Sequence, residues 1–526
     1  MTPRNDAPCR LDLIALAVIG LSLAVRWWFV ATGQLNLIQD EAQYWDWTRR
    51  PQLSYYSKGP LIAWLITAGC KLFGSTELGV RFASLVGMTG IQAALYLGVS
   101  RVWREYRLAL FALAVAATMP LFNALGILMT TDNPLILCWT VGFFALSAAT
   151  RHRPDETPGN LPFVILGAAV ALGILAKYMM LVFVVLAVVH ALILHFRGQL
   201  PDRFWGRFLL ALLAGAAIGM LPVLVWNWQN DWVGFRHVAR QTAGKPGVSH
   251  LRIGPFFEML GAQAGLMAPW WFVLAMLGGW RAIKKGWVGP IGRFDGDYRN
   301  ALQAALFFWP LWGCITLWSI HSKTEANWTA ASFMGAAVVG GMGLMSWWDA
   351  PTRRNRGRAM LTGTAALLAL LMFAAPLLPL PSEYNITDRM RGWRDLGQEV
   401  GRLRQGAFAD PARVFVFSDH YDITAELAFY TPGQPLAHCA WIYDRRMNQY
   451  DLWPGPNADK IGWDAVLVRE RWYGEETDPA IRAMFDFVGP PIHYTSSENG
   501  HGYRPFTLRV CKGYNGSWPR QASGRF

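Results

Sequence analysis

The chain is laid out as blocks of apolar residues separated by short polar stretches. The first block, residues 11–32, is long enough to cross a bilayer although Asp12 and Arg26 stand near its ends. Further blocks occupy residues 79–100, 108–128, 134–149, 208–226, 255–280, 301–320, 328–348 and 359–380, and residues 161–196 are long enough for two spans. Residues 62–73 are apolar but short, which suits a helix lying at the interface. Repeated runs of this length predict an α-helical polytopic membrane protein with about eleven to thirteen transmembrane helices. After residue 380 the pattern changes. Residues 393–403 are amphipathic, 426–430 read as a helix, and 414–417, 465–468 and 506–510 read as short strands. The predicted organisation is a membrane domain over residues 1–380, with a first outer loop at 33–78, and a small α/β domain over residues 381–526.

Charge supplies the direction. The short loops at 101–107, 151–153, 197–207, 281–299 and 353–358 each carry at least two basic residues, so they are predicted to be cytoplasmic. The N-terminal run has no small-residue cleavage site after it and reads as a retained anchor. The loops at 33–78, 129–133, around Lys177, 227–254 and 321–327 then lie outside, together with the C-terminal domain. A chain that is 53% hydrophobic with 27 Trp is not a soluble enzyme, and its net charge of +13 falls largely in short loops and needs no nucleic acid. Six cysteines are scattered without a CxxC metal pattern. Cys439 and Cys511 fall in the outer domain, where a disulfide between them is an open possibility.

This topology carries distant polar groups to one membrane face. Asp40 and Glu41 follow the first span, Lys58 and Arg81 come next, Asp132 precedes Asn133-Pro134, and Lys177 interrupts an apolar run. His321, Asn327 and Trp328 arrive there too, with Tyr44, Tyr55 and Tyr56 as pocket candidates. Each has an ordinary alternative: Asp132 as a helix cap, Lys177 as a snorkelling cation, Arg81 as an interfacial anchor, and His321 as a satisfied loop histidine. Together they make chemical sense. A carboxylate serves as general base on an acceptor hydroxyl, and cations at the lipid boundary hold a phosphate as charge develops on it. No cofactor is assigned, and a divalent ion stays open without a ligand set to hold it.

The ordered series Asp40-Glu41-Ala42-Gln43-Tyr44-Trp45, Ser54-Tyr55-Tyr56-Ser57-Lys58-Gly59-Pro60-Leu61, Arg81-Phe82-Ala83-Ser84 and Thr131-Asp132-Asn133-Pro134 resembles bacterial glycosyltransferases of the protein-mannosyltransferase type. That group includes ArnT, the aminoarabinose transferase of lipid A. Ala425-Glu426-Leu427-Ala428-Phe429-Tyr430 and Gln449-Tyr450-Asp451-Leu452-Trp453 fit it as well. The resemblance implies a GT-C fold with interfacial helices and a periplasmic C-terminal domain in the bacterial inner membrane. It implies transfer of a sugar from undecaprenyl phosphate, with inversion, to lipid A, lipopolysaccharide or another glycan. Asp40 would be the base, Glu41 and Asp132 would orient it or the acceptor, and Lys58, Arg81 and Lys177 would face the lipid phosphate. Where the family often has two prolines after the basic residue, this chain has Gly59, which gives that loop more backbone freedom. A flippase of a lipid-linked sugar and a protein O-mannosyltransferase are the competing readings. Clustering at one face, the absence of a visible repeat and a folded outer domain favour the transferase.

Overall fold

A computed structural model describes residues 6–151, 159–200, 203–243, 253–288, 296–322, 324–350, 355–374, 387–442, 445–456, 458–474, 476–498 and 501–520. The domain boundary expected at 380, the end of the last apolar run, Lys323 and parts of several basic loops lie outside these residues.

The chain begins with α1 (Asp6–Ala31), α2 (Gln39–Thr48), α3 (Leu61–Phe73) and α4 (Glu77–Leu97), followed by a π-helical turn at Gly98–Val102. It continues through α5 (Tyr106–Thr118), α6 (Pro120–Leu125), α7 (Asp132–Thr150), α8 (Leu161–Ala176), α9 (Met180–Phe196), α10 (Phe204–Gln229) and α11 (Val233–Ala243). The rest of the bundle is α12 (Ile253–Met267), α13 (Pro269–Val288), α14 (Gly296–Leu306), α15 (Trp309–Trp318), α16 (Ser332–Trp348) and α17 (Asn355–Ala374). Among the described residues six helices are long and apolar enough to span a membrane, or seven if the bent pair α12–α13 is one span. Leu13, Leu16 and Leu21 of α1 and Leu367, Leu370 and Leu371 of α17 stand exposed, as lipid-facing side chains do. The protein is a multi-pass membrane protein.

Several runs that read as unbroken spans are divided. The run 255–280 bends by 101° between α12 and α13. Ala268 adopts a left-handed φ of 74°, and Pro269 opens α13 where its missing N–H costs nothing. The run 108–128 breaks before Pro120 for the same reason. Residues 161–196, read as two spans, divide at Lys177, whose backbone is extended with φ −159° and ψ 133°. The break at Lys177 places irregular backbone beside Asp132, to which the Lys177 side chain donates.

The C-terminal domain holds α18 (Trp393–Gly406), β1 (Val414–Ser418), α19 (Tyr421–Tyr430), β2 (Ala437–Cys439), β3 (Asp464–Glu470), α20 (Pro479–Arg482), β4 (Phe485–Val488), β5 (Ile492–Glu498) and β6 (His501–Tyr514). The sheet order is β2-β1-β3-β6-β4, with β5 also pairing β6. β1 lies parallel to β2 and β3, with Phe415 opposite Ala465, and β3 runs antiparallel to β6, with Val468 opposite Leu508. Cys439 and Cys511 are buried free thiols on β2 and β6. Two strands separate them, about 14 Å at the usual strand spacing, which a disulfide does not reach.

The C-terminal domain is not a separate lobe. Leu37, Trp45, Trp47, Tyr55 and Ile62 of the 33–78 segment share one apolar core with Trp393, Leu396, Val416, Leu427 and Phe429. Trp45 meets Phe429 edge-on at 4.9 Å. Polar contacts fix the orientation: the Leu37 N–H donates to the Tyr430 hydroxyl at 2.7 Å, and the Trp393 N–H to Asn36 Oδ1 at 3.0 Å.

Candidate active site

The site is built on α2, a short helix that begins immediately after Ile38. Asp40 and Glu41 lie in its first turn, where the helix dipole favours negative charge. They meet opposite fates. Glu41 is 0% exposed and Arg81 is 1% exposed. Their side chains pair at 2.7 Å, Glu41 also accepts N–H bonds from Met129 and Ile38, and Arg81 donates to the Leu35 and Asn36 carbonyls. This pair ties α2 to α4 and to the segment before α7. Every donor and acceptor of it is occupied internally, so the expectation that Arg81 faces a lipid phosphate and Glu41 an acceptor gives way to a sealed structural joint.

Asp132 opens α7, but its carboxylate does not cap that helix. Lys177 Nζ donates to Oδ1 at 2.7 Å and Asn327 Nδ2 to Oδ2 at 3.1 Å. The network joins three distant segments, as the sequence suggested, and leaves Lys177 engaged by a carboxylate. Asn327 is thereby part of the cluster. His321 packs edge-on against Trp318, and among the described residues no contact links it to the carboxylates. Trp328 belongs to the short 3-10 turn Ala326–Thr329 that carries Asn327.

Asp40 and Lys58 are different. Neither side chain has a hydrogen-bond or ion-pair partner among the described residues, yet each feels the other's charge. Asp40 keeps solvent access while set deep in the protein, the situation of a group on the wall of a recess. Withdrawal from bulk water raises its pKa, opposed by the charges of Lys58 and Arg446 and assisted by those of Asp422 and Glu41. The same withdrawal lowers the pKa of Lys58, with Lys177 adding to the effect and Asp40 and Asp132 opposing it. Both shifts move the groups toward neutral pH, where a base and a phosphate-binding cation are useful.

The loop that presents Lys58 is tightly specified. The Tyr55 N–H and the Ser54 hydroxyl both donate to the Lys58 carbonyl, at 3.1 and 3.2 Å. Gly59 adds no freedom here. A Cβ at that position would overlap the carbonyl oxygen of Leu175, so glycine lets the loop dock against the end of α8. Of the tyrosines, Tyr55 stacks on Trp47 at 4.3 Å and donates to its carbonyl, which makes it a brace. Tyr44 lies within electrostatic reach of both Asp40 and Asp132. Tyr56 rests against His237 at 4.6 Å, and its N–H donates to Gln449 Oε1 of the C-terminal domain at 2.7 Å.

Several residues near the site were not foreseen. His237, Tyr421 and Arg446 interact electrostatically with its members. Burial and the nearby cations Arg446 and Lys58 push the His237 imidazole down to about 4, so it is neutral at physiological pH. Glu426 is buried with both carboxylate oxygens unpartnered among the described residues, and burial raises its pKa well above the usual range. Among the described residues no group of three or more His, Cys, Asp and Glu side chains is arranged to hold a metal. A cleft of 350 Å³ between Glu105, Arg281, Lys285 and Met345 lies among the basic loops and includes none of the site residues.

Residues 57–226 match the family described as dolichyl-phosphate-mannose-protein mannosyltransferase. The chain is 27% identical to the lipid A galacturonosyltransferase RgtD of Rhizobium johnstonii over 82% of its own length and 83% of that protein's. It is 30% identical to an undecaprenyl phosphate-α-4-amino-4-deoxy-L-arabinose arabinosyl transferase of Sodalis glossinidius over 44% of this chain and 41% of the relative. The crystal structure of ArnT from Cupriavidus metallidurans bound to undecaprenyl phosphate superposes with a TM-score of 0.63 at 16% identity, covering 94% of this chain and 97% of that one. The chain therefore shares the fold of that ArnT structure, a multi-span helical bundle with a small C-terminal sheet domain, and is similar in sequence to these glycosyltransferases.

Proposed function

We propose that the protein transfers a sugar from a polyprenyl phosphate, such as undecaprenyl phosphate, to an envelope acceptor such as lipid A or lipopolysaccharide, at the periplasmic face of the inner membrane. One observation carries the reading: Asp40 and Lys58 stand open and unpaired on one recess, whereas Glu41–Arg81 and Asp132–Lys177 are closed ion pairs. Asp40 takes the proton of the acceptor hydroxyl as its oxygen attacks the anomeric carbon. The bond from that carbon to the phosphate oxygen breaks, its electron pair stays on the phosphate, and Lys58 meets the charge that develops. A single displacement inverts the anomeric centre. Asp132, held by Lys177 and Asn327, is not free to act as a second nucleophile and serves to position the site.

The relatives' names point to a uronic acid and to an aminopentose, so both donors belong in the test. Purified protein in lipid nanodiscs is given each radiolabelled undecaprenyl phosphate sugar with lipid A. Label should pass to the acceptor, and Asp40→Asn should abolish transfer by at least about 100-fold while donor binding persists. A flippase would not need that carboxylate as a base. Failure to transfer from any polyprenyl phosphate sugar, to lipid A, to other envelope glycans or to secreted protein, would overturn the reading.

A further inference from the structure

Two close helix contacts frame the cleft among the basic loops. α13 meets α16 at Gly278, where a Cβ would overlap the Val339 carbonyl oxygen, and α13 meets α14 at Gly286, where a Cβ would overlap the Leu302 backbone. Between these contacts the helices part and enclose the 350 Å³. Arg281 and Lys285 stand one turn apart on α13, both exposed, with Asn300 of α14 and Ser346 of α16 on the facing walls. Arg281 donates to the Ser346 hydroxyl at 2.8 Å, which occupies one of its five N–H groups. Among the described lining residues Glu105 is the one carboxylate, so the two cations leave one positive charge in excess. An apolar track leads out of the cleft: Val273 and Leu277 are exposed on α13, each one turn from the next and in line with Arg281. Trp280 is exposed beside them with Lys284 over its ring, as at a membrane–water boundary.

We propose that this cleft binds the headgroup of an anionic phospholipid, a phosphodiester such as that of phosphatidylglycerol, in the leaflet that meets the basic loops. The single negative charge of the diester matches the one excess positive charge of the cleft. Arg281 and Lys285 hold the phosphate oxygens, and the Asn300 amide and Ser346 hydroxyl are within the same cavity to pair with the glycerol hydroxyls. The acyl chains follow Val273 and Leu277 into the bilayer. That track separates a lipid from a soluble phosphate, which would leave it unused, and the charge balance separates an anionic lipid from a zwitterion. Basic pockets between membrane helices bind lipid headgroups in this way, and the leaflet facing cytoplasmic basic loops is the one that supplies anionic lipid. A lipid seated here ties α13 to α14 and α16 where the helices themselves part.

The test titrates the full-length, delipidated protein in detergent with phosphatidylglycerol and with phosphatidylethanolamine of the same chains, and native mass spectrometry counts the bound lipid. Phosphatidylglycerol should bind about 10-fold more tightly to the wild-type protein. Arg281→Gln and Lys285→Gln should each weaken that binding about fivefold, and Arg281→Lys should restore most of it. Lys284→Gln removes the same charge one residue away, outside the cleft, and should leave the affinity unchanged. sn-Glycerol 3-phosphate at the same concentration should not displace the lipid. Equal affinity for the two lipids, an equal loss in Lys284→Gln, or displacement by glycerol phosphate would each overturn the proposal. The comparison of two lipids needs only the wild-type protein, so it decides the matter even where a variant does not fold. A chain that transfers no sugar should still hold this lipid.

Discussion

Gly59 shows how little room the recess leaves at the level of single residues. A Cβ there would overlap the Leu175 carbonyl oxygen, so Gly59→Ala must push the loop off α8 and move Lys58 with it. The expected result is a loss of about 1–3 kcal/mol of stability and a larger loss of transfer, read by thermal unfolding and by kinetics on the surviving folded protein. The two open charges set the pH response. Asp40 must be ionised to act, and burial raises its pKa above 3.8, so the rate should climb with pH through that raised value. Lys58 must stay protonated, and its pKa is lowered from 10.5, so the rate should fall again before the usual lysine range. Lys58→Arg keeps its charge throughout, and the alkaline limb of kcat/KM should move upward in that variant. A limb that stays in place would assign it to another group. Asp40 and Lys58 were readable because charge beside an apolar run is costly and stands out. Arg446 was not, since a cation in a polar region carries no such mark.

At the scale of elements, the Glu41–Arg81 pair is the joint that holds α2 against α4. Breaking one side of a buried ion pair leaves the other charge stranded, so Glu41→Gln and Arg81→Met should each cost about 3–5 kcal/mol. The double variant should cost less than the two combined, and a double-mutant cycle in unfolding measures the coupling. Glu426 on α19 should behave in the opposite sense. Its folded pKa is raised above 4.5, so its contribution is intact at acid pH and is lost as pH climbs toward the folded value. Glu426→Gln should therefore leave acid stability alone and raise stability at alkaline pH. Legibility followed burial in the same way. β1 and β3 are apolar on both faces and read directly as strands, as inner strands with parallel neighbours do. β5, Ile492–Glu498, is mixed in burial and rich in Thr, Ser and His, so nothing apolar announced it. The spans were legible by length, and so was the turn at Lys177, but the breaks at Ala268 and before Pro120 were not, because backbone irregularity leaves the apolar count unchanged.

For the whole molecule, the chemistry proposed here depends on which side of the membrane the recess opens. The proposed sidedness puts the basic loops in the cytoplasm and the recess, with the C-terminal domain, in the periplasm. Single cysteines resolve the sidedness once the exposed Cys9 and Cys314 are changed to serine. Asp459 is exposed on the C-terminal domain and Lys284 is exposed at the end of α13. Asp459→Cys should react with a membrane-impermeant maleimide in spheroplasts, and Lys284→Cys only after the membrane is opened. The reverse pattern would put Asp40 in the cytosol, away from envelope acceptors on the outer leaflet. The polyprenyl donor would then have no acceptor within reach of the recess, and the transfer reaction would lose its physical setting.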